Sequence, residues 1–312
     1  MERCLDEQHL ITNSGDKTSL QSDKRDQPGV EMSTKKSLHD FYTMKKEGQK
    51  ITFLTAYDFP TATFAEAAGL DMLLVGDSLG MCVYGYSSTV PVTMDQMVYH
   101  ADAVRRGAPN CFVIGDMPFM SYQSSLEKAV ENAGRFLKEA SCDAIKLEGG
   151  ERVSHQIKAI VDAGIVVMGH IGLTPQSSGQ LGGHKAQGRT AETAKLVVED
   201  ALAVQDAGAH MLLIEAVPPE VTAYIAKTLK IPVLSIGAGP DCDGQLLIVS
   251  DMIGQFQAFT PKFVKKYSNV AQVITSAMRN YCEEIRNGRF PGEEHCYRMI
   301  EGEEMKFLNL MK

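Results

Sequence analysis

The sequence predicts an α/β protein built as a (β/α)8 TIM barrel, with additional C-terminal helices and a disordered N-terminal tail. From about residue 50, eight short apolar runs alternate with longer amphipathic stretches, and this alternation is typical of parallel βαβ units. The 312 residues also suffice for such a barrel, which takes about 250 residues. An open doubly wound sheet is the alternative. Its first strand is normally followed by a G-x-G-x-x-G turn, and none follows residues 51–57.

The predicted strands are β-rich apolar runs, several of them bounded by glycine or proline. Helices are predicted between most of these runs because apolar residues recur there at helical spacing, as Ala194, Val198 and Ala201 do. The predicted strands are 51–57, 71–77, 111–116, 143–149, 165–172, 210–216, 231–239 and 246–252, and the predicted helices are 60–68, 94–106, 124–140, 151–163, 190–207 and 218–229.

The two ends of the chain differ from the barrel. Residues 1–36 are polar, mixed in charge and without periodicity, so we expect a disordered tail. This tail has no apolar segment of a secretory signal, and its acidic residues are unlike a transit peptide. Residues 37–312 are expected to form a single barrel domain. Within it the stretch "NVAQVITSAMRNYCEEIRNG" is the clearest additional helix, expected to pack outside the barrel.

Composition excludes several classes of function. The formal net charge is −8, and no basic stripe is present, so nucleic acid is not an expected partner. No apolar run approaches the roughly 20 residues that a membrane helix needs. Seven cysteines are scattered without a C-x-x-C pair, which indicates free thiols rather than disulfides or zinc ligands. We therefore expect a cytoplasmic protein that binds neither nucleic acid nor membrane.

Acidic residues stand where three neighbouring predicted strands end. Asp77 ends the second run, Asp116 the third, and Glu148 lies at the end of the fourth. In a barrel of this kind the chemistry lies at the carboxyl ends of the strands, so these side chains are expected to converge. Two like charges 4 Å apart repel by about 4 kcal/mol at an effective dielectric constant near 20. A divalent cation removes this repulsion, and oxygen ligands suit Mg²⁺. Alternatively, each acid is a solvated carboxylate at the rim.

Two further residues belong to the same strand ends. Lys146 shares its strand face with Glu148, because side chains alternate along a strand. An unpaired buried ammonium is costly, so Lys146 is a candidate for a role in the site, the alternatives being an ion pair with Glu148 or an extended side chain that reaches the rim. Ser78 follows Asp77 and is predicted to bind a carboxylate, the alternative being a helix cap.

Glu215 and His170 are the remaining candidates. Glu215 follows the apolar run "HMLLI". Burial in apolar surroundings raises the pKa of a carboxylate, the property that a general base needs. Glu215 is therefore predicted to be the catalytic base, the alternative being an ion pair with Lys185 or Arg189. His170, at the fifth strand, is predicted to donate a hydrogen bond to a substrate oxygen, the alternative being a buried structural histidine.

Eight stretches, in order over about residues 38–296, resemble the ketopantoate hydroxymethyltransferase family. The resemblance covers most of the chain outside the tail and the last residues, and the set is far more specific than any one stretch. The stretches are "FLTAYD", "LVGDSLGM", "PVTMDQMVYHADAVRRGAPNC", "DMPFMSYQ", "IKLEGG", "GHIGLTPQS", "IPVLSIGAG" and "FPGEEH".

The resemblance implies a barrel of the phosphoenolpyruvate mutase and isocitrate lyase superfamily. It implies Mg²⁺ and the transfer of a hydroxymethyl group from 5,10-methylenetetrahydrofolate to α-ketoisovalerate, on the route to pantothenate. It also implies a homo-oligomer, commonly a decamer. By motif, the metal ligands are Asp77, Asp116 and Glu148, and the proton acceptor is Glu215. The contacts to the keto acid are Asp77, Ser78, Asp116 and Lys146.

Three positions and one segment depart from the usual family pattern. Ser87 replaces an aspartate in "GYSST", and "GGHKAQGR" carries His184 and Ala186 where the family commonly has tyrosine and valine. The segment "QFQAFTPKF" stands where the family often has a glycine-rich stretch. None of these residues belongs to the predicted ligand set. We therefore expect that, if this protein differs from other family members, the differences lie in loop closure and in the contacts with folate.

Two other functions remain alternatives. A lyase of the same superfamily would use the metal and an enolate for C–C cleavage, but the "KKCGH" stretch of isocitrate lyases is absent. A barrel without catalysis, serving as a binding or scaffold protein, would be expected to have lost the metal ligands or the base, and all of these residues are present.

Overall fold

A closed parallel barrel is formed by the part of the chain that this computed structural model describes, namely residues 34–180, 182–183 and 185–312. Each of its eight strands pairs with the next, and the first pairs with the last. The predicted (β/α)8 barrel is therefore confirmed. The strands are β1 (Ile51–Thr55), β2 (Met72–Val75), β3 (Phe112–Asp116), β4 (Ala144–Glu148), β5 (Val167–Gly172), β6 (Met211–Glu215), β7 (Val233–Ile236) and β8 (Gly244–Leu247).

Helices pack on the outside of the strands, mostly within a residue or two of the predicted bounds. Short 3₁₀ turns lie at Glu151–Val153, Pro175–Ser177 and Glu293–His295. The α-helices of the described residues are α1 (Leu38–Glu47), α2 (Phe59–Ala67), α3 (Leu79–Cys82), α4 (Met94–Gly107), α5 (Leu126–Ala140), α6 (Ser154–Asp162), α7 (Ala191–Asp206), α8 (Pro219–Thr228), α9 (Val249–Met252), α10 (Val270–Arg286) and α11 (Glu303–Leu310). None of them is long and apolar enough to cross a membrane.

The start of the described chain closes one end of the barrel. The predicted tail, 1–36, lies outside the described residues apart from its last three. Of these, Lys35 pairs with Asp143 at 2.6 Å and Lys36 with Asp71 at 2.7 Å. Helix α1, which the sequence did not predict, follows. Its Phe41 is completely buried against the inner residues of the strands. The amino-terminal end of the barrel is thereby sealed by apolar packing.

The core has two layers because successive side chains of a strand point to opposite faces. The larger layer lies between the strands and the helices. The smaller layer fills the inside of the barrel and includes Phe41, Phe53, Met72, Ile114 and Met168. Above this inner layer, toward the carboxyl ends of the strands, the inward residues become polar and charged.

The eighth predicted strand, 246–252, was wrong in its bounds. Strand β8 begins at Gly244, where an added Cβ would lie 2.4 Å from the carbonyl oxygen of Ile51, so the close pairing with β1 requires glycine. Residues after Leu247 turn into α9, and the N–H of Val249 donates to Thr55 Oγ1 at 3.0 Å. A short apolar run does not by itself distinguish a strand from a helical turn.

Candidate active site

Four charged or polar side chains fill the inside of the barrel above the apolar layer. Asp116, Lys146, Glu148 and His170 all point inward and are at most 2% exposed. The strand register brings them together, because Asp116 lies beside Lys146 and Glu148 beside His170 across neighbouring strands. The prediction that Lys146 and Glu148 share the inner face is confirmed.

Asp77 reaches the same cluster by a different route from the predicted one. The sequence predicted a strand over 71–77 that ends with Asp77, but β2 already ends at Val75, whose side chain belongs to the outer layer. The turn after the strand reverses the direction of the side chain. The N–H of Asp77 then donates to Asp116 Oδ2 at 3.0 Å, and Asp77 Oδ2 accepts from Gln176 Nε2 at 2.9 Å. Asp77 is thus a cluster member held by a turn.

Lys146 is the cation of the cluster. Its Nζ lies 2.8 Å from Asp116 Oδ1 and 3.7 Å from Glu148 Oε1. The ion pair with Glu148 that the sequence offered as an alternative is therefore present, and Asp116 is the nearer partner. Burial by itself lowers the pKa of Lys146, but the charges of Asp116, Glu148 and Asp77 outweigh this effect and the pKa is raised. Lys146 therefore stays protonated.

The three carboxylates of the cluster carry more charge than Lys146 balances. Burial, followed by the charge of Glu148, raises the pKa of Asp77. Burial also raises the pKa of Glu148, and it raises that of Asp116 well above its usual range, in each case against the opposing effect of Lys146. One ammonium among three acids leaves a surplus of negative charge when all three are ionised. Such a surplus inside a protein is costly unless a further cation is present.

The donor chemistry of this cluster fits a hard divalent ion. One oxygen of each acid accepts a hydrogen bond from an N–H group. Of the other oxygens, Asp116 Oδ1 is buried without a hydrogen bond and has only its ion pair with Lys146. Within the described ranges, however, no three acidic, histidine or cysteine side chains form a set arranged to hold a metal ion. Lys146 lies between Asp116 and Glu148 instead. Metal coordination by Asp77, Asp116 and Glu148 therefore stays a prediction.

His170 connects the cluster to Glu215. The ammonium of Lys146 lies 3.2 Å from His170 Nδ1, and His170 Nε2 lies 3.3 Å from Glu215 Oε2. Burial, then the charge of Lys146, lowers the pKa of His170, so the ring is neutral at pH 7. Because an ammonium only donates, Nδ1 accepts and the ring proton is on Nε2, toward Glu215.

Glu215 ends β6 on the inner face and lies at the border of the cluster. Its side chain is 15% exposed, against at most 3% for Lys146 and His170. No ion pair joins it to Lys185 or Arg189, the two alternatives that the sequence offered, in the part of the chain that is described here. The carboxylate thus lies close to His170 Nε2, which has no hydrogen-bond partner among the described residues, and is open to a bound molecule.

Ser78 faces the same space. It precedes α3, but its side chain makes no capping hydrogen bond, so the alternative role as a helix cap is not supported. Its Oγ lies 2.8 Å from the hydroxyl of Tyr57. Tyr57 thereby fixes the position of a hydroxyl beside Asp77.

Sequence reasoning missed Gln176 and Tyr122, which hold the carboxylates in place. Gln176 donates from Nε2 to Asp77 Oδ2 and from its backbone N–H to Glu148 Oε2 at 3.0 Å. The hydroxyl of Tyr122 lies 2.8 Å from Gln176 Oε1. Gln176 is 5% exposed. The one signal in the sequence was its position in "LTPQS", in the loop after β5, because residues at the carboxyl ends of barrel strands lie near the site.

One cavity of about 1000 Å³ contains the cluster and opens at the carboxyl ends of the strands. Beyond the cluster, its wall is formed mainly by apolar residues of the loops and by the segment 255–263. The residues that depart from the family pattern lie here: Ser87, Ala186 and five residues of that segment line the cavity, while His184 lies outside the described residues. The cavity-lining members of the segment are Phe256, Phe259, Pro261, Lys262 and Phe263.

Comparison with known sequences identifies close relatives. A family model described as ketopantoate hydroxymethyltransferase matches residues 35–293. The protein named 3-methyl-2-oxobutanoate hydroxymethyltransferase of Alkaliphilus metalliredigens is 63% identical over 273 residues, covering 88% of this chain and 96% of the relative. The protein of the same name from Syntrophobacter fumaroxidans is 53% identical over 265 residues, covering 85% and 94%.

Solved structures support the fold. A phosphonopyruvate hydrolase in complex with oxalate and Mg²⁺ aligns with a TM-score of 0.55 at 15% identity, covering 88% of this chain and 96% of its own. A 2,3-dimethylmalate lyase, a member of the PEP mutase/isocitrate lyase superfamily, aligns with a TM-score of 0.53 at 17% identity, covering 87% and 92%. At this identity the likeness shows a shared barrel architecture.

Proposed function

Since this chain belongs to the ketopantoate hydroxymethyltransferase family, we propose that its barrel cavity joins α-ketoisovalerate to the one-carbon unit of 5,10-methylenetetrahydrofolate with the help of Mg²⁺. The product of this reaction is ketopantoate, a precursor of pantothenate, in agreement with the name 3-methyl-2-oxobutanoate hydroxymethyltransferase that the relatives carry. The observation that carries the proposal is the buried cluster of three carboxylates and one ammonium beside Glu215. In the overall reaction the two substrates and one water give ketopantoate and tetrahydrofolate.

Asp77, Asp116 and Glu148 are the residues that would hold the metal. Their oxygens match the preference of Mg²⁺, and their surplus charge is what a divalent ion neutralises. When bound, Mg²⁺ would act as a Lewis acid on the keto group of the substrate. Lys146 contributes a fixed positive charge beside the three carboxylates. This charge would stabilise the negative charge that develops on the keto oxygen as the substrate is deprotonated.

The keto acid is small and carries one carboxylate. We propose that this carboxylate binds to Lys146 and to the hydroxyl of Ser78, which Tyr57 holds in position. Asp77 and Asp116 are the neighbouring contacts to the keto acid. These contacts direct the C3 carbon of the substrate toward Glu215, on the opposite side of the cluster.

Glu215 is the proposed base. It takes the proton from C3, and the electron pair of the enolate forms a C–C bond to the methylene carbon that the folate delivers. One water supplies the hydroxyl group of that carbon as both of its C–N bonds break. The remaining proton of the water and the proton taken from C3 go to the two nitrogens, which releases tetrahydrofolate. His170 Nε2 lies 3.3 Å from Glu215 Oε2 but has no hydrogen-bond partner among the described residues. Its N–H is therefore available to donate to a substrate oxygen, the role that the sequence predicted and that we propose here.

The experiment that tests this function is product analysis after the chain is mixed with α-ketoisovalerate, methylenetetrahydrofolate and Mg²⁺. Ketopantoate and tetrahydrofolate are expected in equal amounts, each depending on the metal and on both substrates. Cleavage of a 2-hydroxy acid in place of ketopantoate formation would favour the lyase alternative, and no turnover of either kind would favour the binding protein.

We predict that Mg²⁺ stabilises the protein more at pH 8 than at pH 5.5. The three acids have raised pKa values in the folded chain, so without metal the native state binds more protons than the unfolded state above about pH 4, and this group of residues loses stability as the pH rises. Metal binding must displace those protons, so it weakens at low pH. The measurement is the shift of the melting temperature on adding Mg²⁺ at each pH.

His170 requires a control, because its lowered pKa acts in the opposite direction near pH 6.5. The difference between melting temperatures with and without Mg²⁺ removes that contribution. The variant Asp116→Asn is expected to show a smaller metal-induced shift at both pH values. A shift that is equal at pH 5.5 and 8 would contradict the assignment of these acids.

We further propose that the chain forms a homo-oligomer through α10. Between β7 and β8 the described chain has no helix, so the barrel wall there lacks the cover that helices give elsewhere. Helix α10 has no buried residue, and Ile274, Met278, Tyr281 and Ile285 form one apolar face at helical spacing, between 37% and 64% exposed. A second copy of the chain is the proposed partner of this face.

Light scattering tests this proposal. The wild-type chain is expected to have a mass that is a multiple of 34.1 kDa, and the double variant Met278→Glu, Tyr281→Glu is expected to have a lower mass. Ser276→Glu, on the opposite side of α10, is the matched control and is expected to keep the wild-type mass. A wild-type monomer would exclude the oligomer.

The proposed compartment is the cytoplasm. All six cysteines that the structure describes are free thiols, which supports a reducing environment.

A further inference from the structure

The cavity has a second polar position, away from the cluster. Asp251 lies in α9, directly after the end of β8, and lines the cavity. It is 5% exposed. Over residues 34–180, 182–183 and 185–312, no hydrogen bond or ion pair reaches its carboxylate, although its oxygens are not fully shielded. It is therefore a nearly buried acid that faces the cavity without a partner.

A carboxylate in this state calls for hydrogen-bond donors. Buried polar groups in proteins are almost always hydrogen-bonded, and one without a partner costs free energy. Burial raises the pKa of Asp251, in agreement with this cost. The charge of Lys266 opposes this rise without an ion pair to Asp251. The mechanism proposed above does not use Asp251, so a molecule that enters the cavity is a suitable source of its donors.

The surroundings of Asp251 indicate the kind of molecule. Phe256 and Phe259 line the same cavity, and their rings meet edge to face at 5.6 Å between centroids. Arg189 and Lys262 line it too, and neither makes an ion pair within the described residues. The cavity thus combines an acceptor, aromatic rings and cations, outside the cluster that would hold the keto acid.

We propose that Asp251 anchors the pterin ring of the folate co-substrate, by accepting hydrogen bonds from the N3–H and the 2-amino group. This inference rests on the proposed function. The two donors of a pterin lie side by side, as the two oxygens of a carboxylate do, and such paired bonds to a charged acceptor are strong and selective. The aromatic rings offer a surface to the flat heterocycle, and the cations suit the glutamate carboxylates.

The cavity is large enough to hold the keto acid at the cluster and the folate at Asp251. About 1000 Å³ lies at the upper end of the range of about 300–1,000 Å³ for small-molecule sites, and a five-carbon keto acid fills only a small part. The cluster and Asp251 lie at separate positions along the same ring of strand ends. The folate would thus bridge from Asp251 toward Glu215, with its one-carbon unit over the keto acid.

The test compares Asp251→Asn with Asp241→Asn, an exposed residue of the β7–β8 loop that loses the same charge. Asp251→Asn is expected to raise the KM for methylenetetrahydrofolate by roughly 10-fold to 100-fold, since bonds to a charged group are being weakened. The folate-independent exchange of the C3 proton of α-ketoisovalerate should stay within about twofold of wild type, which shows that the variant folds. Asp241→Asn should leave both quantities unchanged.

A folate analogue supplies a test without mutation. Methylenetetrahydrofolate with a methyl group in place of the 2-amino group loses one of the two donors. The wild-type chain is expected to discriminate against it by roughly 10-fold or more in kcat/KM, and Asp251→Asn is expected to discriminate much less. Equal discrimination by both, or none by the wild type, would overturn the role of Asp251.

Different results would contradict the proposed function and the proposed role of Asp251. If wild type exchanges the C3 proton and uses folate, but Asp251→Asn keeps the wild-type KM for folate, only the anchor is wrong. If wild type makes no ketopantoate from methylenetetrahydrofolate, the proposed co-substrate is wrong and the anchor with it.

Discussion

Replacement of Glu215 by glutamine is expected to slow both ketopantoate formation and C3-proton exchange by roughly 10²-fold to 10⁴-fold, the usual contribution of a general base. Glutamine keeps the shape of the side chain and its contact with His170, so the binding of Mg²⁺ and of α-ketoisovalerate should be nearly unchanged. The measurement is deuterium uptake at C3 in deuterated water, followed by nuclear magnetic resonance, together with calorimetric titration of the keto acid.

The matched control is Glu220→Gln, on the exposed surface of α8, which should exchange at the wild-type rate. Exchange at the wild-type rate in Glu215→Gln as well would remove Glu215 from its role as the base. Loss of keto acid binding together with exchange would assign Glu215 to binding rather than proton transfer.

Replacement of Lys146 by methionine is expected to have the largest effect on stability. It leaves buried carboxylates without their ammonium, and the removal of one partner from a buried ion pair costs about 3–5 kcal/mol. For a chain of this size the melting temperature should fall by about 10 °C. Activity should fall too, because Lys146 also binds the substrate in the proposed mechanism. Thermal unfolding without metal is the measurement.

A second variant separates charge from packing. In Lys146→Met, Asp116→Asn, one of the unbalanced acids is neutral, so part of the lost stability should return while activity stays low. Lys158→Met removes an exposed lysine, whose ion pair with Asp162 should contribute at most about 1 kcal/mol. A melting temperature for Lys146→Met that equals that of Lys158→Met would refute the view that Lys146 stabilises the cluster.

The fold was largely predictable because strands and helices of this barrel carry separate periodic patterns. Predicted helices such as 94–106 and 190–207 differ from the observed α4 and α7 by a residue at an end. Helix α1 was missed because its sequence, "LHDFYTMKKE", is mostly polar and only Phe41 and Met44 are buried. Its position under the barrel depends on tertiary contacts, which no local pattern records.

The candidate site was predictable to the extent that strand alternation holds. Asp116, Lys146, Glu148 and His170 lie on strands, and their common face follows from parity. Asp77 lies past the end of its strand, where parity no longer applies, so the direction of its side chain depends on a turn that the sequence pattern does not record.

Gln176 and Tyr122 show a different limit of the sequence. Their role consists of hydrogen bonds between loops distant along the chain. A glutamine or tyrosine in a loop has no pattern that distinguishes such a role from an ordinary surface position.

The apolar seal that α1 and Phe41 form closes the described part of the barrel at the end opposite the cavity. In the proposed reaction the keto acid occupies the deepest part of the cavity, and the folate lies above it, toward the open carboxyl ends of the strands. The substrates must then arrive in a fixed sequence, keto acid first, and the products must depart in the reverse sequence, with tetrahydrofolate released before ketopantoate. The order in which substrates bind and products leave is thus expected to follow from the closure of the amino-terminal end of the barrel by α1.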